Sequence, residues 1–254
     1  CIRDSINGSE HLMSMSVSIL PEWGKTDPYA MGTACVDECI RQMVVSGADP
    51  DRLAILDNFC MGNPDAEEEL GALVETVKGI AAAAESYGAP FVSGKDSFYN
   101  YFETDEGPVS IPVTILISGM GIVEDASHVT GSSLRCRDSL IAVIGSTESE
   151  LGGSVYARQK GLTNATVPGT DMDVAMDLYR KYYECVKQGL ILSAHDVSEG
   201  GLSVTLAEAA FSGKAGLEID LSSLPTGEEV QSPRCSSASL PLASWLKSLR
   251  ITLR

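Results

Sequence analysis

The eleven-residue stretch from Val113 to Val123 places the strongest restriction on how this chain can fold. It contains no charged side chain, and its length and apolar character predict a strand that is buried on both faces for most of its length. Such a strand has to be covered by helices or by another sheet. The chain, alone or with a partner, must therefore provide apolar structure on each side of it.

Helical and strand patterns alternate around this stretch, which predicts a mixed α+β or α/β fold. The most regular helical pattern runs from Ala66 to Tyr87 and ends at Gly88, where a C-terminal cap is expected. The other predicted elements are helices over Gly32 to Ser46, about Asp171 to Gln188 and about Gly201 to Phe211, and strands over Leu53 to Leu56, Pro90 to Ser93, Leu140 to Ile144 and Gly216 to Leu221.

The composition argues against several classes of protein. The chain has 254 residues, 44% of them hydrophobic, which is enough for one large domain or two ordinary ones. No apolar run approaches the roughly 20 residues of a membrane span, and the first residues lack the pattern of a signal peptide. A net charge of -17 disfavours a nucleic-acid partner. The seven cysteines include no CxxC pair, so we expect a cytoplasmic protein with reduced cysteines and no membrane contact.

The chain divides into two units and a tail. Polar residues and glycine interrupt the apolar pattern from His128 to Arg137, so we predict an N-terminal domain over residues 1–130 and a C-terminal domain over residues 131–231. All 35 acidic residues precede Ser232. Residues 232–254 are rich in serine and leucine, and they show no clean helical or strand periodicity.

Four polar segments interrupt the apolar pattern and are candidates for chemistry. In the first, Glu38 and Gln42 lie four residues apart on one face of a predicted helix, where their oxygens can jointly ligate Mg²⁺. A solvated helix face explains the same spacing, and the spacing by itself favours that explanation. In the second, Asp57 and Asn58 directly follow a predicted buried strand, where α/β sheets gather ligands. An ordinary Asx turn explains them equally well.

The third segment reads SGKDS and follows the strand that begins at Pro90. Gly94 lets the backbone approach a phosphate, and Lys95 supplies a positive charge. Asp96 and Ser97 offer metal or hydroxyl contacts. The full spacing of a P-loop is absent, and the alternative is a strand-to-loop turn with a surface lysine.

The fourth segment surrounds His195. Gly200 and Gly201 open a predicted helix, so its first amides and its dipole can receive an anion. Asp196 can bind the metal cation that accompanies such an anion, and Ser198 follows two residues after Asp196. His195 itself is weak evidence, because a histidine next to an aspartate is often an oriented structural residue.

Taken in order, these segments match a known family. They are DPYAMG with VDE, GADPDRLAILDNFCMGNP, PFVSGKDSFYN, IPVTILISGMGIVED, ELGGS and AHDVSEGGL with LAEAAFSG. Over about Ser14 to Leu224 the chain resembles the second half of the synthetase region of phosphoribosylformylglycinamidine synthase (FGAM synthase, the PurL family), an ATP-dependent amidotransferase of purine biosynthesis.

The resemblance implies one half of an aminoimidazole ribonucleotide synthetase-like (PurM-like) fold, with an N-terminal and a C-terminal α+β domain. In that family the N-terminal domains pair their sheets, and nucleotide sites lie in the clefts between halves. The implied partners are the first half of the synthetase region, a glutaminase domain or subunit, and a small-molecule substrate. A homodimer through the N-terminal sheet is also compatible with it.

The resemblance also implies roles for individual residues. Asp57 and Gly94 match contacts to ATP, and Ser97 matches a contact to formylglycinamide ribonucleotide. The position of Lys95 is often an Asn that binds Mg²⁺, but a protonated lysine has no free electron pair for a cation.

A second set of matches lies at an auxiliary nucleotide of the large single-chain family members. Glu38, Gln42 and Asp196 match the magnesium ligands there, and Ser198 matches a contact to the nucleotide. That site has a structural role in the large form, so these residues can support the fold without taking part in turnover.

The implied activity is that of an ATP-dependent carbon–nitrogen ligase that uses Mg²⁺ and ATP. ATP phosphorylates the amide oxygen of the substrate and ammonia then displaces the phosphate, so catalysis consists mainly of positioning and charge neutralisation. No catalytic residue is implied for this chain, and we expect it to be inactive by itself. The alternatives are a non-catalytic nucleotide-binding half and another synthetase or kinase of the same superfamily.

The tail does not match the family. A family segment close to LFSESxSRFLVEV is expected a little after Pro233, and codons can be chosen for Arg234 to Leu249 whose shifted frame encodes VLFSESASRFLVEVAP. We therefore predict that residues 232–254 are translated out of frame, and that they are disordered or pack without native contacts. The alternative is a basic amphipathic tail, which its four positive charges support poorly.

Overall fold

The computed structural model describes residues 2–136, 139–145, 147–163, 165–220 and 247–253. Strands and helices alternate through most of this length, as the mixed pattern predicts. In chain order the elements are β1 (Ile2–Ser5), β2 (Leu12–Ile19), α1 (Pro21–Gly24), α2 (Pro28–Val45), β3 (Leu53–Cys60), α3 (Glu67–Tyr87), β4 (Phe91–Ser97), β5 (Tyr101–Thr104), β6 (Gly107–Ser110), β7 (Thr114–Val123), a 3-10 turn (Ala126–His128), β8 (Ile141–Val143), α4 (Val155–Lys160), α5 (Met172–Lys187), α6 (Gly201–Gly213), β9 (Leu217–Asp220) and β10 (Lys247–Leu253).

The larger sheet has five strands in the order β1-β2-β7-β3-β4. Strands β3 and β4 are parallel, because α3 returns the chain to the same end of the sheet, and the other neighbours are antiparallel. A separate hairpin, β5–β6, lies between β4 and β7 in the sequence. Strand β2 and this hairpin were not among the predicted elements.

Helix α2 covers the middle of one face of this sheet. It begins after Asp27, whose carboxylate accepts a hydrogen bond from the amide of Ala30, with Pro28 in the first turn. Helix α3 packs beside it and ends, as predicted, at a left-handed Gly88. The stripe that predicted α2 is completely buried: Cys35, Cys39, Ile40, Met43 and Val44.

Strand β7 lies at the centre of the sheet and is covered by α2 on one face. Ile115, Ile117 and Val123 on that face are fully buried. Met120 on the opposite face is 42% exposed. Within this chain the prediction of two buried faces therefore holds only for the face toward α2.

Strand β2 shows the same division between faces in an unusual form. Its serines point toward α2 and are buried, whereas its large apolar side chains point away from the helices. The buried serines are Ser14, Ser16 and Ser18, and the outward residues Met15, Val17 and Ile19 are 43%, 53% and 45% exposed. The sheet thus presents an apolar face that the described residues leave open.

Helix α5 connects the second half of the chain to the first. It begins after Asp171, whose side chain accepts from the amide of Val174. Its residues Ala175, Met176 and Tyr179 belong to the same buried cluster as the core of α2. Helix α6 instead packs on a smaller cluster around Val143, Leu202 and Leu206.

The smaller sheet has the antiparallel order β8-β10-β9. Its middle strand, Lys247–Leu253, comes from the tail and pairs with β8 and β9, so this segment is not disordered. The other expectation for the tail, packing without native contacts, stays a prediction. Residues 232–246 lie outside the described residues. The out-of-frame origin of the tail remains a prediction.

Two strands continue beyond their predicted ends. Strand β3 reaches Cys60 and β4 reaches Ser97, because the two pair in parallel over these residues. Asp57, Asn58 and the SGKDS segment therefore lie within the sheet, and both turn interpretations are wrong. In the part of the chain described here, no helix is long and apolar enough to cross a membrane.

Candidate nucleotide site

A small cavity of about 40 Å³ lies where α2 meets the segment that leads into α6. Glu38 comes from α2, and Ser198 and Gly200 come from the other side. Gly153 and Ser154 of the ELGGS segment complete the wall next to them. The fold thus brings Glu38 and Ser198, which are 160 positions apart in the sequence, to one cavity.

Glu38 is buried, with only 7% of its surface exposed. The hydroxyl of Ser18 on β2 donates a 2.5 Å hydrogen bond to Oε2 of Glu38. Burial raises the pKa of Glu38, and Asp196 raises it further as a like charge, against the lowering effects of Arg41 and Ser18. The prediction of a solvated helix face is wrong for Glu38, because β2 and the segment before α6 cover it.

Asp196 faces a larger, mainly apolar cavity of about 420 Å³. Burial opposes ionisation of Asp196, but the hydrogen bond from His195 and the charge of Arg41 together lower its pKa. The ring of His195 lies 3.4 Å from Oδ1 of Asp196 and 3.0 Å from Oε2 of Glu208. Those two partners raise the pKa of His195, the hydrogen bond to Asp196 most. His195 therefore orients and supports Asp196, as its structural interpretation predicts.

Arg41 lies between the two carboxylates and was not among the predicted site residues. It forms an ion pair with Asp37 one turn earlier on α2, and its other amino group donates a 3.2 Å hydrogen bond to the carbonyl of Val197. Arg41 and Val197 line both cavities, with Glu38 on the smaller one and Asp196 on the larger one. The sequence signal was an acidic and a basic residue four apart within a buried helical stripe.

The charges at this junction suit a divalent cation in part. Asp37 pairs directly with Arg41, and Glu38, which is buried, and Asp196, which is partly buried, share the remaining influence of Arg41, with His195 beside Asp196. Carboxylate oxygens are the ligands that Mg²⁺ prefers. Gln42 is half-buried one turn beyond Glu38, and it is not among the residues that line either cavity. The described residues contain no group of three or more His, Cys, Asp or Glu ready to hold a metal, so the set is incomplete.

The N-terminus of α6 begins at the wall of the same cavity, which Gly200 lines. Gly200 has a φ of 87°, a conformation that glycine adopts without strain, and no side chain caps the helix. The first amides and the helix dipole favour an anion there. Ser198 lies two residues earlier, with its carbonyl accepting from the amide of Gly201 at 3.0 Å.

A second group of predicted residues lies in the sheet. Asp57 and Gly94 are opposite one another in the β3–β4 register, and both point to the face that carries the helices. A Cβ on Gly94 would lie 2.5 Å from Oδ1 of Asp57, so only glycine leaves room for this carboxylate. Burial raises the pKa of Asp57, and Asp96, which alternation places on the same face, adds to the effect.

Lys95 and Ser97 point to the opposite face of the sheet, because side chains alternate along a strand. That face is the open apolar one, so these two residues border it together with Asn58. The hydroxyl of Ser97 donates to Oδ1 of Asn100 at 3.1 Å. The third polar segment is thus divided between two faces, and the proposed ATP and substrate contacts do not converge within this chain.

Family models match most of the chain. The model of the AIR synthase related protein N-terminal domain matches residues 5–123, and the model of the corresponding C-terminal domain matches residues 138–246.

Several proteins described as phosphoribosylformylglycinamidine synthase subunit PurL are similar in sequence. The protein of Thermococcus sibiricus is 33% identical over 216 residues, which cover 85% of this chain and 29% of that protein. The protein of Methanocaldococcus jannaschii is 37% identical over 203 residues, which cover 78% of this chain and 27% of that protein. This chain therefore spans less than a third of the length of the relatives that it matches.

Solved structures show the same fold. Thermotoga maritima PurL complexed with FGAR has a TM-score of 0.74 at 19% identity, covering 95% of this chain and 38% of that one. T. maritima PurL has also been solved with ATP, at a TM-score of 0.67 and 19% identity, covering 96% of this chain and 36% of that one. The hydrogenase maturation protein HypE of E. coli has a TM-score of 0.65 at 18% identity, covering 89% of this chain and 68% of that one.

Proposed function

Because the chain belongs to the AIR synthase related protein family and is a homologue of PurL subunits, we propose that it supplies one half of the synthetase region of an ATP-dependent FGAM synthase. That enzyme joins ammonia to formylglycinamide ribonucleotide at the cost of one ATP. The whole reaction requires the first half of the region and a source of ammonia.

The observation that carries this proposal is the meeting of Glu38, Ser198 and the N-terminus of α6 at one cavity. Glu38 at this cavity, Asp196 at the neighbouring one and a helix N-terminus suit a nucleotide phosphate with its cation, since the helix attracts the anion and the carboxylates attract the metal. We assign Glu38 and Asp196 to Mg²⁺ and Ser198 to the nucleotide. Gln42 lines neither cavity, so its assignment to Mg²⁺ rests on the family resemblance alone. This magnesium, when bound, neutralises phosphate charge.

We assign Asp57 and Gly94 to the reacting ATP, and Ser97 to formylglycinamide ribonucleotide. Asp57 is positioned by its place in the sheet and by the absence of a side chain at Gly94. The γ-phosphate passes to the amide oxygen of the substrate, and ammonia then attacks the amide carbon while phosphate leaves. Asp57 and Ser97 lie on opposite faces of the sheet, so residues of the other half are needed to hold the two substrates in line.

The open face of the larger sheet supports a partner at the N-terminal domain. Val17, Ile19 and Met120 expose large apolar side chains there, while buried serines face the helices. An apolar sheet face of this kind is stable only when another layer covers it. We infer that the sheet of the other half, or of a second copy of this chain, packs on it, with Lys95 and Ser97 at the border.

A non-catalytic nucleotide-binding half is the second candidate. It is favoured by the separation of Asp57 and Ser97 onto opposite faces, which leaves no complete reaction site among the described residues. Another synthetase or kinase of the superfamily remains the third candidate, since the fold also occurs in proteins of other description, such as the hydrogenase maturation protein HypE at 18% identity. The PurL relatives at 33% to 37% identity favour FGAM synthase over that option.

The proposal is tested by mixing the 254-residue chain with a polypeptide that carries the first half of the synthetase region. We expect Mg²⁺-dependent ADP binding by calorimetry, and turnover when ammonia, ATP and formylglycinamide ribonucleotide are added. Asp196→Ala weakens ADP binding by about tenfold or more. Asp177→Ala, which removes an exposed carboxylate on α5, leaves it unchanged.

Three results distinguish the candidates. Turnover by the mixture supports the ligase half, and ADP binding without turnover supports the non-catalytic half. If Asp196→Ala binds Mg²⁺ and ADP as the wild type does, the assignment of Asp196 is wrong.

A further inference from the structure

The segment from Leu192 to Gly200 carries Asp196 and Ser198 but contains no helix or strand. Its position therefore depends on the apolar contacts of Ala194 and Val197 and on individual hydrogen bonds. The amide of Ala194 donates to the carbonyl of Gly131 at 3.0 Å, and the hydroxyl of Thr205 on α6 donates to the carbonyl of Asp196 at 3.3 Å. Neither bond attaches the segment to α2, which carries Glu38.

The hydrogen bond from Arg41 to the carbonyl of Val197 makes that attachment. Val197 lies between Asp196 and Ser198, so one bond places both neighbours relative to Glu38. Arg41 and Val197 also form the part of the wall that the two cavities share. The bond thus fixes the distance between α2 and both of the proposed ligand-binding residues of the segment.

Arg41 is itself held by a buried polar network. Asp37 is 2% exposed and pairs with Arg41 through Oδ2, while its Oδ1 accepts from the hydroxyls of Tyr87 at 2.7 Å and Tyr179 at 2.6 Å. These three partners come from α2, α3 and α5. Because Asp37 already holds the guanidinium of Arg41 in place, Arg41 loses little further conformational entropy when it bonds Val197.

We propose that Arg41 is a positioning residue, which acts through Val197 to hold Asp196 and Ser198 against α2 and so prepares the nucleotide site. This role rests on the proposed function, in which Asp196 binds Mg²⁺ and Ser198 binds the nucleotide. The hydrogen bonds that hold the segment join residues of this chain, so the test measures the segment without nucleotide.

The first measurement is amide hydrogen exchange of the 254-residue chain in EDTA, without nucleotide. Arg41→Met keeps much of the apolar stem and removes both donors. Arg41→Met also takes a partner from Asp37, which bonds Tyr87 of α3, so exchange in α3 rises as well. We expect exchange in the segment 196–201 to rise by about tenfold more than exchange in α3, the effect of the lost bond to Val197. Arg180→Met is the matched control, because Arg180 pairs with Asp51 at an exposed site, and it leaves the segment 196–201 unchanged.

The second measurement is the affinity for Mg²⁺ and ADP in the mixture with the first half. Arg41→Met lowers this affinity. Arg41→Lys keeps the charge, but its single nitrogen cannot reach both Asp37 and Val197, so it restores only part of the affinity. Unchanged exchange at 196–201, or a rise there no larger than the rise in α3, overturns the positioning role. If the wild type binds no ADP, the proposed function fails, and the exchange result still decides the role of Arg41.

Discussion

The hydroxyl of Tyr179 donates a 2.6 Å hydrogen bond to Oδ1 of Asp37, which lies 142 positions earlier in the chain. Tyr87 donates to the same oxygen from α3. Burial, followed by the charge of Asp37, raises the pKa of both phenols well above their ordinary range, which favours the protonated hydroxyls as donors. One carboxylate thereby joins α2, α3 and α5.

Tyr179→Phe tests the contribution of this bond. The ring still fills its place, but Asp37 loses one of its three partners inside the core, so we expect the free energy of unfolding to fall by about 1 to 3 kcal/mol. Urea unfolding followed by circular dichroism measures it. Tyr156→Phe on α4 is the control and changes stability by less than about 0.5 kcal/mol. Equal effects of the two substitutions contradict the network.

Gly94→Ala tests the close approach of β4 to Asp57. The new Cβ would lie 2.5 Å and 2.9 Å from the two carboxylate oxygens, so Asp57 must leave its position or the strands must separate. We expect a loss of about 1 to 3 kcal/mol in unfolding free energy. Gly71→Ala on α3, where a Cβ meets no atom within 4 Å, is neutral or stabilising. A stable Gly94→Ala protein with an unmoved Asp57 contradicts this account.

The pH dependence of stability tests the burial of Glu38. Its folded-state pKa is raised above the ordinary 4.5, so between these two values the folded protein binds more protons than the unfolded chain. Without metal, the folded protein therefore becomes more stable as the pH falls through this window and Glu38 takes up a proton. Near neutral pH the ionised, buried Glu38 lowers the free energy of unfolding. We expect Glu38→Gln to be more stable than the wild type near neutral pH in EDTA, and to lose this part of the pH dependence.

Glu75→Gln serves as the comparison for Glu38→Gln. Glu75 is an exposed residue of α3 whose partner is Lys78, so its replacement leaves the pH profile of unfolding as in the wild type. Thermal unfolding at a series of pH values gives the profiles. Profiles of Glu38→Gln and wild type that coincide count against a raised pKa at Glu38.

The apolar sheet face predicts that the isolated chain associates. Val17→Lys places a charge at a position that is 53% exposed here but buried in any sheet-to-sheet contact. We expect analytical ultracentrifugation to show dimers or larger species for the wild type and a shift toward monomer for Val17→Lys. Phe211→Lys, at the 78% exposed Phe211 of α6, does not shift the distribution. A wild-type monomer at high concentration contradicts the prediction.

The tail predicts a property of the gene. We propose that the reading frame changes near Gln231 to Pro233, so that the frame starting at the third base of the Arg234 codon encodes VLFSESASRFLVEVAP. Sequencing of the gene tests this directly, and a shifted frame without that segment removes the proposal. The strand at Lys247–Leu253 then owes its place to backbone pairing with β8 and β9, which any apolar sequence can form in part.

The sequence by itself determined the elements whose residues carry a clear local signal. The α3 pattern and its glycine cap, the buried stripe of α2, and the polar segments with their family resemblance all depend on neighbours within a few turns of the chain. The alternation of serine and apolar residues in β2 was also present, but which face is the inner one depends on where α2 packs.

Only the tertiary structure decided how the candidate residues are grouped. The pairing of β3 with β4 placed Asp57 and Gly94 on one face and Lys95 and Ser97 on the other, because register sets the direction of each side chain. The burial of Glu38 and the contact between Arg41 and Val197 join positions that are distant in the sequence. Local patterns cannot specify such contacts, since their energies arise only when separate elements pack together.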